Sequence, residues 1–64
     1  MVFDSIQKVY DIISDARVGI TIEEIVRLSK ISTPETYVIL KRLKGTHSIN
    51  QVKKFGKIFF IVRK

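Results

Sequence analysis

Cysteine and tryptophan are missing from this chain of 64 residues, which holds one histidine, one proline and three glycines. Without cysteine no disulfide can brace the fold and no thiolate can hold a metal. His47 stands alone, so no histidine cluster arises, and no Ser/His/Asp or Cys/His set or glycine-rich phosphate loop is found. The expectation is therefore no catalytic residue, no metal and no cofactor, and the chain is not read as an enzyme. No apolar run approaches the ~18 residues of a spanning helix. The start, Met1-Val2-Phe3-Asp4, lacks the basic segment and small-residue cleavage site of an export signal. A cytoplasmic protein with no membrane partner is expected. The lack of cysteine, with few Asn and Gln, also suits a hot habitat.

Acidic residues are scarce in one particular place. Residues 30–64 contain nine Lys and Arg but only Glu35 to oppose them, a balance of +8. Residues 1–29 set Lys8, Arg17 and Arg27 against Asp4, Asp11, Asp15, Glu23 and Glu24, a balance of −2. A chain polarised in this way expects a polyanion on one side. What is plentiful is aliphatic: 11 Ile, 7 Val and 3 Leu. They suffice for one small core, and the whole of 1–64 reads as one domain. A domain this short buries a modest share of its surface, so dimerisation would help it.

Periodicity divides the chain into six elements. Phe3, Ile6, Val9, Tyr10, Ile13 and Ala16 recur at helical spacing, with Asp4 as expected N-cap and Gln7 three residues on. Val18–Thr21 suits a strand of one or two bonds that pairs with something later. Thr21-Ile22-Glu23-Glu24 reads as a capping box opening a second helix, whose apolar side is Ile22, Ile25, Val26 and Leu28. Thr33 or Ser32 caps a third helix, with Pro34 in its first turn and Gly45 as a left-handed stop. Residues 48–54 and 57–63 then alternate as strands around Phe55-Gly56, a tight hairpin turn.

This succession resembles the winged helix-turn-helix family of small bacterial and archaeal repressors. The resemblance rests on Gly19-Ile20-Thr21-Ile22-Glu23-Glu24-Ile25, then Leu28-Ser29-Lys30-Ile31-Ser32, then Tyr37-Val38-Ile39-Leu40-Lys41-Arg42-Leu43-Lys44. It implies an α+β fold of three helices, a short strand and a C-terminal β-hairpin wing at about 46–63. It also implies a transcription regulator of archaeal or viral kind that places helix 33–44 in the major groove of double-stranded DNA.

On that helix Thr36, Ile39, Leu40 and Leu43 should face inward. Pro34, Glu35, Tyr37, Val38, Lys41 and Arg42 are then left outward. The candidate DNA-binding residues are Ser32, Thr33, Glu35, Tyr37, Val38, Lys41, Arg42 and Lys44, with Lys53, Lys54 and Lys57 of the wing. Arg42 and Lys41 can hold phosphates or guanine edges, and the Tyr37 hydroxyl can donate to a phosphate. Val38 can meet only a thymine methyl or a protein surface, and Glu35 suits cytosine N4 but not a phosphate. The wing lysines are the stronger backbone contacts. Phe55 is expected to fold back on the hairpin, a minor-groove wedge being the other reading.

Strand 58–62 has apolar residues on both faces, and Val2, Tyr10 and Ile12 offer another surface. A homodimer reading two half-sites is therefore expected. No small-molecule effector is legible. The alternative function is a protein-interaction module of a larger complex, docking through Tyr37, Val38 and strand 58–62. Single-strand or RNA binding is disfavoured by the few aromatics on which bases could stack.

Overall fold

The first apolar stripe folds as α1, Val2–Asp15, in a computed structural model that describes residues 2–63, with side chains from Asp4 onward. Phe3 of the expected stripe and Val2 of the expected dimer surface lie outside the described side chains. Asp4 is not an N-cap. It sits within the first turn of α1, where the helix dipole favours a carboxylate. Gln7, expected to return a capping bond, donates instead to Asp11 Oδ1 at 2.9 Å. Tyr10 and Ile12 are half-buried and pack against the core.

The chain leaves α1 through Gly19, at φ 108, a backbone conformation that L side chains rarely adopt. Ile20 then forms the expected minimal strand. Its N–H donates to the Phe60 carbonyl at 3.1 Å and its carbonyl accepts from Phe60 N–H at 2.8 Å. This single antiparallel bridge ties the first half of the chain to its last strand.

α2 covers Ile22–Ser29, and Thr21 caps it by accepting from Glu24 N–H at 3.4 Å. The box closes on one side only, because the Glu24 carboxylate turns to Arg27 one helical turn away. Leu28 does not join the inner side and is 51% exposed. Four residues past the buried Ile25 come nearer the same face than three do, so Ser29 takes the buried place. Its hydroxyl accepts from Ile31 N–H at 3.2 Å, which shapes the turn into the next helix. Lys30 ends α2 in a left-handed conformation at φ 60.

α3 runs Thr33–Gly45 with Ser32, not Thr33, as its N-cap. Thr36, Ile39, Leu40 and Leu43 are buried as the spacing predicts. The Thr36 hydroxyl is satisfied by donating to the Ser32 carbonyl at 2.8 Å. Gly45 is not the left-handed stop, being the last helical residue, with Thr46 as C-cap. The left-handed residue is His47, at φ 60. Thr46 takes over the capping role, donating its hydroxyl to the Leu43 carbonyl at 3.0 Å.

β1 (Ile49–Lys54) and β2 (Lys57–Val62) pair antiparallel, from Ile49 opposite Val62 to Lys54 opposite Lys57. Phe55 and Gly56 both take positive φ, 53 and 75, the signature of a two-residue turn whose twist matches the strands. One core joins all elements: Val9 and Ile13 of α1, Ile20, Ile25 of α2, Ile39, Leu40 and Leu43 of α3, Ile49 of β1 and Phe60 of β2. The result is an α+β, winged helix-like arrangement of three helices followed by a hairpin. Among the described residues no helix is long and apolar enough to cross a membrane.

Candidate nucleic-acid interface

Burying Thr36, Ile39, Leu40 and Leu43 fixes what α3 presents outward. Pro34, Glu35, Tyr37, Val38, Lys41 and Arg42 are all exposed, with Tyr37 at 57% and Val38 at 67%. The start of the helix adds Ser32 and Thr33, both exposed. Ser32 is committed to the helix itself. Its hydroxyl accepts from Glu35 N–H at 3.4 Å, and its carbonyl accepts from Thr36 N–H at 2.9 Å. Thr33 keeps a free choice of partner among the described hydrogen bonds. Lys44, at the other end, reaches across and donates to Gln51 Oε1 of β1 at 3.1 Å.

Strand register sorts the wing lysines. Side chains alternate faces along each strand, and paired residues share a face. Lys53 pairs with Ile58 and so shares its face with Gln51 and Phe60, the side turned to α3. Lys54 and Lys57 oppose each other on the other face, with Val52 and Phe59. The three lysines thus surround the wing tip from two sides instead of forming one row. Two like charges directly opposite in a ladder are destabilising. That pair has no structural reward within the chain.

The side of the wing carrying Gln51 and Ile58 forms a groove with α3, lined by Tyr37, Leu40, Lys41, Lys44, Gln51, Ile58 and Phe60. Gln51 and Ile58 were absent from the candidate set. Their register could have flagged them, because Gln51 stands directly opposite the buried Phe60 and Ile58 lies on the same face two residues nearer the wing tip. Ile58 remains 43% exposed in this groove.

The cations of α3 and the hairpin form no ion pair among the described residues. Among the described residues the one ion pair is Arg27 with Glu24, which leaves Lys41, Arg42, Lys44, Lys53, Lys54 and Lys57 with no carboxylate partner. Of the other acids, Asp4, Asp11 and Asp15 lie on α1, but Glu23 and Glu24 of α2 line a groove with Tyr37, Gly56, Lys57 and Ile58 without pairing to Lys57. Glu35 stands on the presented helix itself, at the start of α3. Every candidate residue is therefore exposed, and two contiguous elements, α3 and the hairpin, carry them all. Six cations so arranged can neutralise phosphates, and the Thr33 and Tyr37 hydroxyls can donate hydrogen bonds.

Phe55 does not fold back on the hairpin: it is 98% exposed. A turn with two positive φ values aims the first residue's side chain away from the strands, so local geometry overrides the tendency of an aromatic to bury itself. Val18 is also out in solvent, at 91%. It flanks an apolar strip of Val52, Phe59 and Ile61 on the outer face of the wing, edged by Arg17 and Lys54. Among the described residues no group of three or more His, Cys, Asp or Glu is placed to hold a metal ion.

No protein-family model matches the chain, and no match is found among curated proteins or solved structures.

Proposed function

We propose that this protein binds double-stranded DNA as a transcription regulator, laying α3 in the major groove and the wing lysines on the phosphate backbone. The observation that carries this reading is the set of six exposed cations without carboxylate partners on α3 and the hairpin. Phosphates are the partners such a surface lacks, and each contact releases condensed counterions. A helix protruding beside a two-stranded ribbon suits the dimensions of the major groove.

Within this reading the wing supplies most of the affinity. Lys53, Lys54 and Lys57 take phosphates. Lys41 and Lys44 extend the track, and Arg42 is the residue suited to a guanine edge. Val38 and Glu35 limit base reading to a thymine methyl and a cytosine amino group. The chain acts as a homodimer on two half-sites, joined through the outer wing strip of Val52, Phe59 and Ile61 with the exposed Val18.

Selection of bound duplexes from a random pool by the purified protein tests binding, sequence preference and half-site symmetry together. A symmetric motif supports the reading, and failure to retain any duplex at about 50 mM salt sinks it. Arg42→Ala is expected to bind the selected site about tenfold more weakly and to relax preference at one position. An unchanged preference removes Arg42 from the reading set.

A second reading is favoured by one observation, the 67% exposure of Val38 beside Tyr37. An apolar residue at the centre of the presented helix suits a protein partner of a larger assembly. Val38→Arg separates the two: it strengthens binding if the helix lies against DNA and abolishes docking if it lies against an apolar partner.

A further inference from the structure

Phe55 is costly where it stands. It is the most exposed large apolar side chain among the described residues, at 98%, and its φ of 53 is one that bulky residues seldom occupy. A two-residue turn of this type prefers Asn, Asp or Gly at its first position. Neither turn geometry nor packing therefore asks for phenylalanine. A side chain retained against both local preference and hydration marks a contact made outside the free fold.

Its surroundings say what kind of contact. Lys54 and Lys57 oppose each other at the base of the turn and Lys53 lies one residue back on the other face. The position a Cβ would take at Gly56 is open, with nothing within 4 Å, so the tip is slim. An apolar point ringed by cations suits a ligand that is anionic outside and apolar within. Duplex DNA is such a ligand, with phosphates flanking stacked bases. A protein pocket offering apolar depth would have to supply a ring of carboxylates as well.

We propose that Phe55 enters duplex DNA from the minor groove as an apolar wedge between two stacked base pairs, while Lys54 and Lys57 hold the phosphates on either side. This rests on the DNA-binding reading above and adds a deformation to it. The wedge partly unstacks one step and bends the duplex toward the major groove. It prefers flexible pyrimidine–purine steps, where unstacking costs least. The wing thereby contributes sequence preference through deformability, which the modest reading face of α3 leaves room for.

The test uses the full chain with duplexes carrying the fluorescent base 2-aminopurine at one step at a time, beside anisotropy for total binding. Wild-type protein should raise the fluorescence severalfold at one step, strongest in a pyrimidine–purine context. Phe55→Ala should bind about tenfold more weakly, keep the same salt dependence and give no rise. Phe55→Asn should lose the signal equally and melt about 2–6 °C higher than wild type, because the turn is relieved. Duplex binding with no fluorescence rise at any step overturns the wedge and leaves the DNA reading intact. Unchanged affinity in Phe55→Ala, or a lower melting temperature in Phe55→Asn, also overturns it. Absence of duplex binding at low salt removes both readings.

Discussion

Neutralising the opposed pair at the wing, Lys54→Gln with Lys57→Gln, is expected to weaken duplex binding about 60-fold at ~0.1 M salt. Each phosphate contact makes affinity scale with roughly the inverse 0.9 power of salt, or about eightfold per contact at that concentration. Loss of two contacts should also flatten the slope of log affinity against log salt by about 1.8. The loss should be equal for all sequences, since phosphates carry no sequence information. Stability should move the other way. Lys54 and Lys57 stand directly opposite in the ladder, so removing their charges relieves a repulsion and leaves the melting temperature unchanged or slightly higher. Anisotropy titrations at several salt concentrations, beside thermal melts, check both signs. Weaker binding together with a lower melting temperature would trace the effect to the fold instead of the phosphates.

Gly19→Ala is expected to destabilise the fold by about 2–4 kcal/mol. A Cβ there would stand 3.0 Å from Phe59 Cβ and 3.4 Å from Ile61 Cγ2. Both neighbours lie on β2, which is held by β1 on one edge and by Ile20 on the other, so neither can retreat freely. The φ of 108 adds a backbone cost for any residue with a side chain. A domain of 64 residues has a total stability of about 3–10 kcal/mol. The variant should therefore lose a large share of its stability and unfold at clearly lower urea. Urea melts of the two proteins decide the matter, and equal midpoints would refute the close approach.

Gly19 also illustrates how far the sequence carries. As a breaker after an amphipathic run it was legible from pattern alone. That it must be glycine because β2 passes against it is a long-range fact, invisible without the pairing of Ile20 with Phe60. The same division recurs elsewhere. The inner stripe of α3 followed from helical spacing, because Thr36, Ile39, Leu40 and Leu43 leave no other self-consistent face. Leu28 was misplaced because an eight-residue helix is decided by which residues meet α1 and α3, and a serine with a turn to cap outcompeted a leucine. Gly45 was misread because composition suggests a stop, whereas Thr46 could cap the helix with its own hydroxyl and pass the left-handed turn to His47.

The candidate surface was legible in kind and less so in arrangement. Charge polarity pointed to α3 and the wing, and every residue named there is exposed. Alternation about the Phe55-Gly56 turn separates Lys53 from Lys54 and Lys57, but which of the two faces meets α3 was not legible, because strand 58–62 is apolar on both. Nor could the sequence show that Phe55 projects. An aromatic is ordinarily expected to bury itself, and only the positive φ of both turn residues turns it outward. Gln51 escaped notice for a related reason, since its bond to Lys44 joins residues seven apart across an element boundary.

The salt dependence of duplex affinity addresses the central claim most directly. With Lys41, Lys44, Lys53, Lys54 and Lys57 each neutralising a phosphate, log affinity should fall against log salt with a slope of about −4.5. Affinity should then drop roughly 500-fold between 50 and 200 mM salt. Binding that is undetectable at 50 mM, or affinity that stays flat across this range, would contradict a protein built to rest its basic half on DNA.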